Sequence, residues 1–232
     1  MGANAQTSVP AFTAGQVLTA AQVTQINTGI PVFASSTERD AAFGGTGEKT
    51  LAEGQYAFLE DTNETLVYDG SSWVSTGRKI LQVLQTVKTD VFSASQSAGT
   101  AVAVTGLTVS ITPSSTSNKV LVFADVAGSN TFGRQGLLLT RGGSTLTGSI
   151  GDAAGSRSSV TASLSAYGYQ YATGQTSVMY LDSPASTSSL TYGVSLLGLS
   201  TGTHYVNQQR TDTDAVSTMR TASFITVMEV SA

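Results

Sequence analysis

The sequence predicts an all-β protein, with a C-terminal jelly-roll sandwich preceded by a short N-terminal helix and a small β-hairpin module. Between residues 175 and 230, apolar and polar residues alternate with a period of two, and Gly, Pro or Asp separates the alternating stretches. This alternation is typical of consecutive antiparallel strands. After residue 79, no stretch longer than two turns has the period of a helix. Together these observations favour a sandwich of strands joined by turns.

The back part of the chain contains strand-like stretches at intervals that suit a sandwich or a barrel. There are roughly eight of them in about 150 residues, which is the profile of a jelly roll. They lie at 80–87, 101–112, 119–127, 136–141, 160–171, 177–181, from 190 onward, and 224–230. The last stretch has large apolar residues in both alternating sets, so we expect it to be a central strand. Arg141-Gly142-Gly143-Ser144 predicts a tight hairpin.

One helix is predicted near the N-terminus. Thr19 and Gln22 have the spacing of a capping box, in which each side chain accepts a hydrogen bond from the backbone N–H of the other residue. Gly29 and Pro31 end the helix. The helix is therefore short, and an isolated helix of this length is marginal in water.

Apolar residues in the same region form a candidate anchor. They are Phe12, Leu18, Val23 and Ile26. Leu18 and Val23 also flank the capping box as a hydrophobic staple. Because a short helix needs a packing partner, two alternatives are open. The residues pack on their own domain, or they anchor the chain in a larger assembly.

Residues 51–77 predict a small β module with turns at 61–64 and 69–72. We expect its large residues to form a miniature core, namely Tyr56, Phe58, Leu66, Tyr68 and Trp73. Trp73 could stack on a sugar ring, but packing within the hairpin is favoured. The predicted divisions are an anchor with a short helix at 1–34, a small acidic β-hairpin module at 35–77 and the jelly-roll domain at 78–232.

Composition excludes several classes of function. Charged residues make up 11% of the chain, and the net charge is −4. We therefore expect no nucleic-acid partner, because binding phosphates needs clustered Lys and Arg. The absence of cysteine excludes disulfides and thiolate metal sites. No stretch approaches the roughly twenty apolar residues of a membrane helix, and no signal peptide is recognised, so neither membrane insertion nor export is expected.

No residue pattern predicts catalysis, so we expect a protein that is not an enzyme and has no catalytic, metal or cofactor site. The sole histidine, His204, lacks a hydrolase serine motif and is interpreted as a surface or interface residue. Residues 44–50 (GGTGEKT) differ from a phosphate-binding loop, because Glu48 interrupts the required Gly-Lys-Thr.

Three acidic residues are candidates for a cation site or for a glycosidase pair: Asp182, Asp212 and Asp214. Their turn context favours structural hydrogen bonds instead. Arg210 and Arg220 are available to pair with them.

Three tyrosines alternate within 160–171 and would lie on one face of one strand: Tyr167, Tyr169 and Tyr171. If exposed, they could stack on sugar rings as a receptor-binding patch. If buried, they would form a core or a ladder at a trimer axis. The second alternative is favoured, because large aromatic residues seldom stay exposed in a row.

Two groups of motifs resemble proteins of tailed bacteriophages. Residues 12–23 (FTAGQVLTAAQV), 35–39 (SSTER) and 66–74 (LVYDGSSWV) resemble the front modules of their virion proteins. A second group is similar to the jelly-roll domain at the end of phage tail-fibre and related virion surface proteins, many from phages of cyanobacteria. In chain order it comprises SITP at 110–113, KVLV at 119–122, YLDSP at 180–184, YVN at 205–207, DTD at 212–214 and VMEV at 227–230. The resemblance implies a homotrimeric component of the virion, made in the host cytoplasm.

We therefore expect a structural protein: a short trimeric tail fibre that docks on other virion proteins by its N-terminus. Its C-terminal domain would contact the host surface, with a surface polysaccharide as the expected partner. A capsid decoration protein that stabilises the phage head is the alternative, and a polysaccharide-degrading tailspike is a third, less favoured one. The low charge suits close subunit packing, because few charges would lose water at the interface.

Overall fold

The computed structural model divides the chain into two compact units, Met1–Arg78 and Lys79–Ala232. It describes residues 7, 9, 11–20, 22–23, 29–46, 48–77, 79–131, 134–164 and 172–232. The predicted fold class is confirmed, because the chain is nearly all β, with a short helix near the N-terminus and a two-sheet sandwich later in the sequence. The predicted division of the first unit at residue 34 stays a prediction.

Among its described residues, the first unit contains a four-stranded sheet and a short helix, α1 (Ser36–Ala41). Residues 20, 22 and 23 are helical as well. The strands, in the order in which they lie in the sheet, are β1 (Val32–Phe33), β2 (Tyr56–Leu59), β3 (Glu64–Tyr68) and β4 (Trp73–Ser75). Strand β1 runs parallel to β2, and the other pairs are antiparallel.

Both helix starts in this unit are capped by side chains. Thr19 Oγ1 accepts from the N–H of Gln22 at 3.3 Å, and Gln22 Oε1 accepts from the N–H of Thr19 at 2.9 Å. The predicted capping box is thus confirmed. Helix α1 was not predicted, although its N-cap Ser35 accepts from the N–H of Glu38 at 3.3 Å. The Ser-x-x-Glu spacing is the sequence signature of that cap.

The core of this module differs from the predicted one. Ala57 and Leu59 are the β2 residues that face inward, whereas Tyr56 is 47% exposed and Phe58 is half-buried. The assignment of Tyr56 to the core is therefore wrong. Successive side chains of a strand point to opposite faces. Because the prediction placed the aromatic residues inside, it assigned every residue of β2 to the wrong face. The buried cluster consists of Val9, Phe33, Ala42, Ala57, Leu59 and Leu66, with Phe43 and Trp73 packed against it.

The second unit is a sandwich of two antiparallel sheets. The five-stranded sheet contains β7 (Ala101–Ile111), β9 (Gln135–Arg141), β10 (Ser144–Thr145), β11 (Ala162–Ser163) and β13 (Leu190–Gly198). The six-stranded sheet contains β5 (Ile80–Lys88), β6 (Phe92–Gln96), β8 (Lys119–Asn130), β12 (Gly174–Asp182), β14 (Gly202–Val206) and β15 (Ser223–Val230). A 3-10 turn, Thr147–Ser149, follows β10.

Strand β8 is the centre of the six-stranded sheet. It pairs with β12 along one side and with β15 and β14 along the other. Its residues Val120, Val122, Ala124 and Val126 are fully buried in the core between the sheets. Each such apolar side chain stabilises the fold by about 1 to 3 kcal/mol. Strand β15 lies between β5 and β8, which confirms the prediction of a central last strand.

The predicted hairpin turn after β9 is present. Gly142 and Gly143 both have positive φ, and Arg141 pairs with Ser144, which confirms the tight hairpin.

Two strands differ from the prediction. Strand β6 was not predicted, because its sequence FSASQ contains only one large apolar residue. Of the predicted strand at 160–171, the structure describes Ala162–Ser163 as β11, and residues 165–171 lie outside the described residues.

A buried carboxylate fastens one end of this sandwich. Glu229 on β15 is almost fully buried and accepts four hydrogen bonds of 2.6 to 2.7 Å. The donors are Gln82 on β5 and, from the loop before β8, the backbone and side chain of Ser114 and the side chain of Asn118. Burial alone raises the pKa of a carboxyl group, but the four donors outweigh it and lower the pKa of Glu229 to about 2.

Replacing Glu229 by Gln should lower the free energy of unfolding by about 2 to 3 kcal/mol at neutral pH, because an amide N–H₂ would face the donors. The ordinary pKa of this carboxyl is 4.5, so its contribution is complete above that pH and is lost as the pH falls towards 2. Chemical denaturation between pH 7 and 2, followed by circular dichroism, measures both effects.

The matched control is Asp152→Asn, which removes an exposed carboxylate from the same unit. It should leave stability at pH 7 and its acid dependence almost unchanged. Equal acid dependence in the wild type and in the Glu229→Gln variant would contradict the role assigned to Glu229.

Candidate interaction surfaces

The N-terminal segment exposes most of its predicted anchor residues. Phe12, Leu18 and Val23 are all exposed, while Ile26 lies outside the described residues. Residue Val9, just before them, is buried and fixed by backbone hydrogen bonds to Ala42 and Lys49. The segment is thus attached to its module at Val9, and its apolar side chains beyond that point are uncovered in the single chain. Their role as an anchor stays a prediction.

Tyr167, Tyr169 and Tyr171 lie outside the described residues. Neither alternative for this tyrosine stripe is decided by the structure.

A surface that the sequence analysis did not predict lies on the side of the six-stranded sheet that faces away from the core. Directly opposite residues of antiparallel strands point to the same face, so the register defines three rows across β5, β15, β8 and β12. We call these rows the outer face. The first row is Val83, Met228, Leu121 and Leu181; the second is Gln85, Thr226, Phe123 and Met179; the third is Val87, Phe224, Asp125 and Ser177.

The outer face is apolar and largely uncovered. Val83 and Val87 are each 53% exposed, Met179 is 67% exposed and Leu181 is 44% exposed. Phe123 and Phe224 lie between them, with ring centroids 5.7 Å apart. Large apolar residues that stand singly on a surface are ordinary, but a contiguous group marks an interaction site.

The polar side chains of the outer face are paired with one another. Gln175, one row further along β12, donates to Asp125 at 2.5 Å, and Ser177 donates to the other oxygen of the same carboxylate. Gln85 donates to Thr226 Oγ1 at 2.8 Å. Asp125 and Thr226 are both buried beneath their neighbours. A partner could therefore cover this face without leaving these polar atoms unpaired.

The acidic residues weighed for catalysis are engaged in ion pairs or line one open cleft. Asp182 accepts from Arg141 at 2.5 Å and from the buried Tyr192 hydroxyl at 2.7 Å. Asp212 pairs with Arg220 at 2.6 Å. Asp214 lines the same loop cleft, of about 470 Å³, as Asp212 and Arg220.

Asp182 also joins the two sheets of the sandwich. It lies at the end of β12 in the six-stranded sheet, whereas Arg141 and Tyr192 lie on β9 and β13 of the five-stranded sheet. Burial raises the pKa of Tyr192 well above its ordinary value, and the neighbouring Asp182 carboxylate adds to this effect. The tyrosine stays neutral and acts as a hydrogen-bond donor. This position serves the fold and offers no free carboxylate for chemistry.

Arg210, the other proposed partner of these acids, donates instead to the backbone carbonyl of Thr131 at 3.0 Å. Of the two arginines expected to pair with these acids, Arg220 does so, with Asp212, and Arg210 does not.

His204 is a core residue, so its interpretation as a surface residue is wrong. It is 1% exposed, and its Nδ1 lies 3.1 Å from Oε1 of the fully buried Gln135. Burial lowers the pKa of His204, and a hydrogen bond with the backbone of Ser200 opposes this only in part. The histidine faces inward because it alternates with Thr203 and Tyr205 along β14.

Trp73 has the packing role that the sequence favoured. Its ring contacts Phe43 and Tyr68 at centroid distances of 5.9 and 5.5 Å. The guanidinium of the buried Arg39 lies 4.8 Å above the ring and also pairs with Asp40 at 2.7 Å. Trp73 therefore packs within the module, between a guanidinium on one face of its ring and two aromatic rings.

The described residues contain no group of three or more His, Cys, Asp or Glu side chains that could hold a metal ion. The helices among them are too short and too polar to span a bilayer.

Comparisons with known proteins found similarity in structure but not in sequence. No known family matches the chain, and no curated protein matches it in sequence. A structure of the Gt strain of infectious bursal disease virus is 11% identical, with a TM-score of 0.34 over 72% of this chain and 44% of that one. The VP2 subviral particle of the same virus is 12% identical, with a TM-score of 0.32 over 77% of this chain and 43% of that one.

This chain spans less than half the length of either viral protein. The similarity is a distant one to viral particle proteins, and at these TM-scores it carries no argument about function. The resemblance to tailed bacteriophages stays a prediction.

The Asp182 tie can be tested against the Asp212 pair. Asp182→Ala should lower the free energy of unfolding by about 3 kcal/mol, because it leaves a buried tyrosine hydroxyl and a partly buried guanidinium unpaired. Asp212→Ala removes a more exposed ion pair and should cost less than about 1 kcal/mol. Urea denaturation followed by far-ultraviolet circular dichroism measures both values. Equal losses of unfolding free energy would contradict the stabilising role assigned to the Asp182 contacts.

Proposed function

We propose that this chain is a structural protein of a phage virion, a short trimeric tail fibre. It docks on other virion proteins through its N-terminal segment and contacts the host surface through its C-terminal domain. The resemblance of its motifs to tailed-bacteriophage virion proteins supports this proposal. The observation that carries it is the amount of apolar surface left uncovered in the single chain.

Each of the two units contributes part of that surface. Phe12, Leu18 and Val23 are exposed in the N-terminal segment, and Met179 and Leu181 are exposed on the outer face. A protein that acted alone in solution would leave both surfaces in contact with water at a cost in solubility. A protein of a permanent assembly buries such surfaces against its neighbours, because obligate interfaces resemble a domain core cut in half.

The paired acids support a role without catalysis. Asp182 and Asp212 are held by arginines at 2.5 and 2.6 Å, so neither is a free carboxylate of the kind that glycoside hydrolysis needs. His204 is buried in the core, away from any surface that a substrate could reach. The tailspike alternative would therefore need a carboxylate pair elsewhere.

One observation favours a second candidate, a capsid decoration protein. The longest helix in the described part of the chain has six residues, and the sequence has no heptad or collagen-like repeat that would form a shaft. A protein without a shaft projects only a short distance, which suits attachment to a shell. The anchor segment and the apolar outer face would serve that role equally well.

Copy number separates the two candidates. Quantitative mass spectrometry of purified virions of the encoding phage should find a few to tens of copies per particle if the chain is a tail fibre. Hundreds of copies would identify a decoration protein. Absence of the chain from purified virions would contradict both candidates.

The anchor is tested by replacing Phe12, Leu18 and Val23 together with Ser. The variant should keep its fold and its oligomeric mass but be lost from virions, because its docking contacts are apolar. Val216→Ser, which removes a fully exposed apolar side chain far along the sequence, is the control and should be incorporated normally. Normal incorporation of the triple variant would contradict docking by this segment.

A further inference from the structure

We propose that the outer face of the six-stranded sheet is the surface through which copies of this chain bind one another. The inference rests on the proposed function in one respect, namely that the chain works as an oligomer. It adds the position of the contact. Four properties of the face favour a second copy as the occupant.

The first property is the chemistry of the rows. Eight of their twelve side chains are apolar: Val83, Val87, Leu121, Phe123, Met179, Leu181, Phe224 and Met228. The most exposed ones, Met179, Val83 and Val87, lie on the two outer strands β12 and β5, while the two phenylalanines fill the middle. Methionine and aromatic side chains of this kind are enriched at the cores of protein interfaces.

The second property is charge. Asp125 is the single ionisable residue of the three rows, and its carboxylate is buried under hydrogen bonds from Gln175 and Ser177. Where the same face of several copies meets around one symmetry axis, like charges come close together, so a face with little charge favours self-association. The same lack of Lys and Arg makes the face unsuited to a nucleic acid, whose phosphates require cations.

The third property is the adjoining sheet edge. Strand β5 ends the order of the six-stranded sheet and pairs only with β15 among the described strands. Natural edges are usually blunted by charged residues or proline, but the middle of β5 is Gln82, Val83, Leu84 and Gln85. Leu84, on the opposite side of β5 from Val83, is also exposed. A neighbouring copy would cover this edge together with the face.

The fourth property is size. The register aligns about six residues of each of four strands spaced about 4.8 Å apart, which is an area of about 19 Å by about 20 Å. This is about 400 Å² per copy, to which the flank of β5 adds, whereas each partner in a standard specific interface buries about 800 Å². The outer face therefore has the size of the apolar centre of a contact between copies, with its rim on the neighbouring strand edge.

The absence of cysteine gives a direct test, because any introduced thiol is the sole one in the chain. Met179→Cys places a thiol on the outer face, and Val216→Cys places one on an exposed loop as the matched control. The rate of reaction with a maleimide is measured for both purified proteins, together with the mass in solution by light scattering. At protein concentrations about tenfold above the dissociation constant, the Met179→Cys thiol should react about tenfold more slowly than the control. Dilution of the protein should abolish this protection.

Each other outcome overturns the inference in a different way. If both thiols react equally fast while the mass is that of an oligomer, the contact lies elsewhere and the proposed function stands. If the protein is a monomer with a reactive Met179→Cys thiol, the self-contact and the trimeric part of the proposed function both fail. Protection of the thiol in a monomer would mean that the chain covers its own face. Protection found only within virions would identify another virion protein as the occupant.

A second pair of variants gives the same answer without labelling. Met179→Lys puts a charge at the most exposed apolar position of the outer face and should reduce the mass to that of a monomer, whereas Val216→Lys should leave the oligomer intact. Circular dichroism checks that both variants are folded. A folded Met179→Lys variant that keeps the oligomeric mass would overturn the inference.

Discussion

The central strand β8 carries large apolar residues on both of its faces, and the partner sheet covers only one face. Val120, Val122 and Ala124 are fully buried in the core between the sheets. Leu121 and Phe123, on the opposite face, lie among the exposed side chains of β5 and β12. A strand of this composition is stable within its own sandwich, because the core supplies enough burial. Its outer face still presents apolar surface to water, and this imbalance is the origin of the proposed assembly.

Several buried charged and polar side chains connect the strands and loops of this sandwich by hydrogen bonds and ion pairs. Glu229 joins β15 to β5 and to the loop before β8, and Asp182 joins the two sheets. Asn207, with φ of 62°, donates to the carbonyls of Lys88 and Asp90 and accepts from Ser223. The chain contains no cysteine, so it has no disulfides, and buried hydrogen bonds of this kind connect its strands.

Sequence periodicity predicted the strands well, because the alternation depends on the local backbone alone. It predicted less well which face of a strand is covered. At β2 the aromatic residues suggested one face, but Ala57 and Leu59 form the core and Tyr56 is exposed. At β14 the polarity of His204 suggested the surface, but its position between Thr203 and Tyr205 places it inside. The outer face was missed for the same reason: where both alternating sets are apolar, the sequence does not tell which set the partner sheet covers.

The polar pairs of the outer face limit how copies could meet in the proposed assembly. An apolar face without internal order would bind any exposed hydrophobic surface, including those of unfolded chains. Asp125 lies beside Phe224 in the third row, and its hydrogen bonds from Gln175 and Ser177 fix a buried charge at one defined position. Because both carboxylate oxygens already accept from the chain itself, a copy that covers them need not supply a partner, whereas one that displaced Gln175 or Ser177 would leave a buried charge unpaired at a cost of a few kcal/mol. In the proposed assembly, Asp125 thereby disfavours the arrangements that would disturb these two donors.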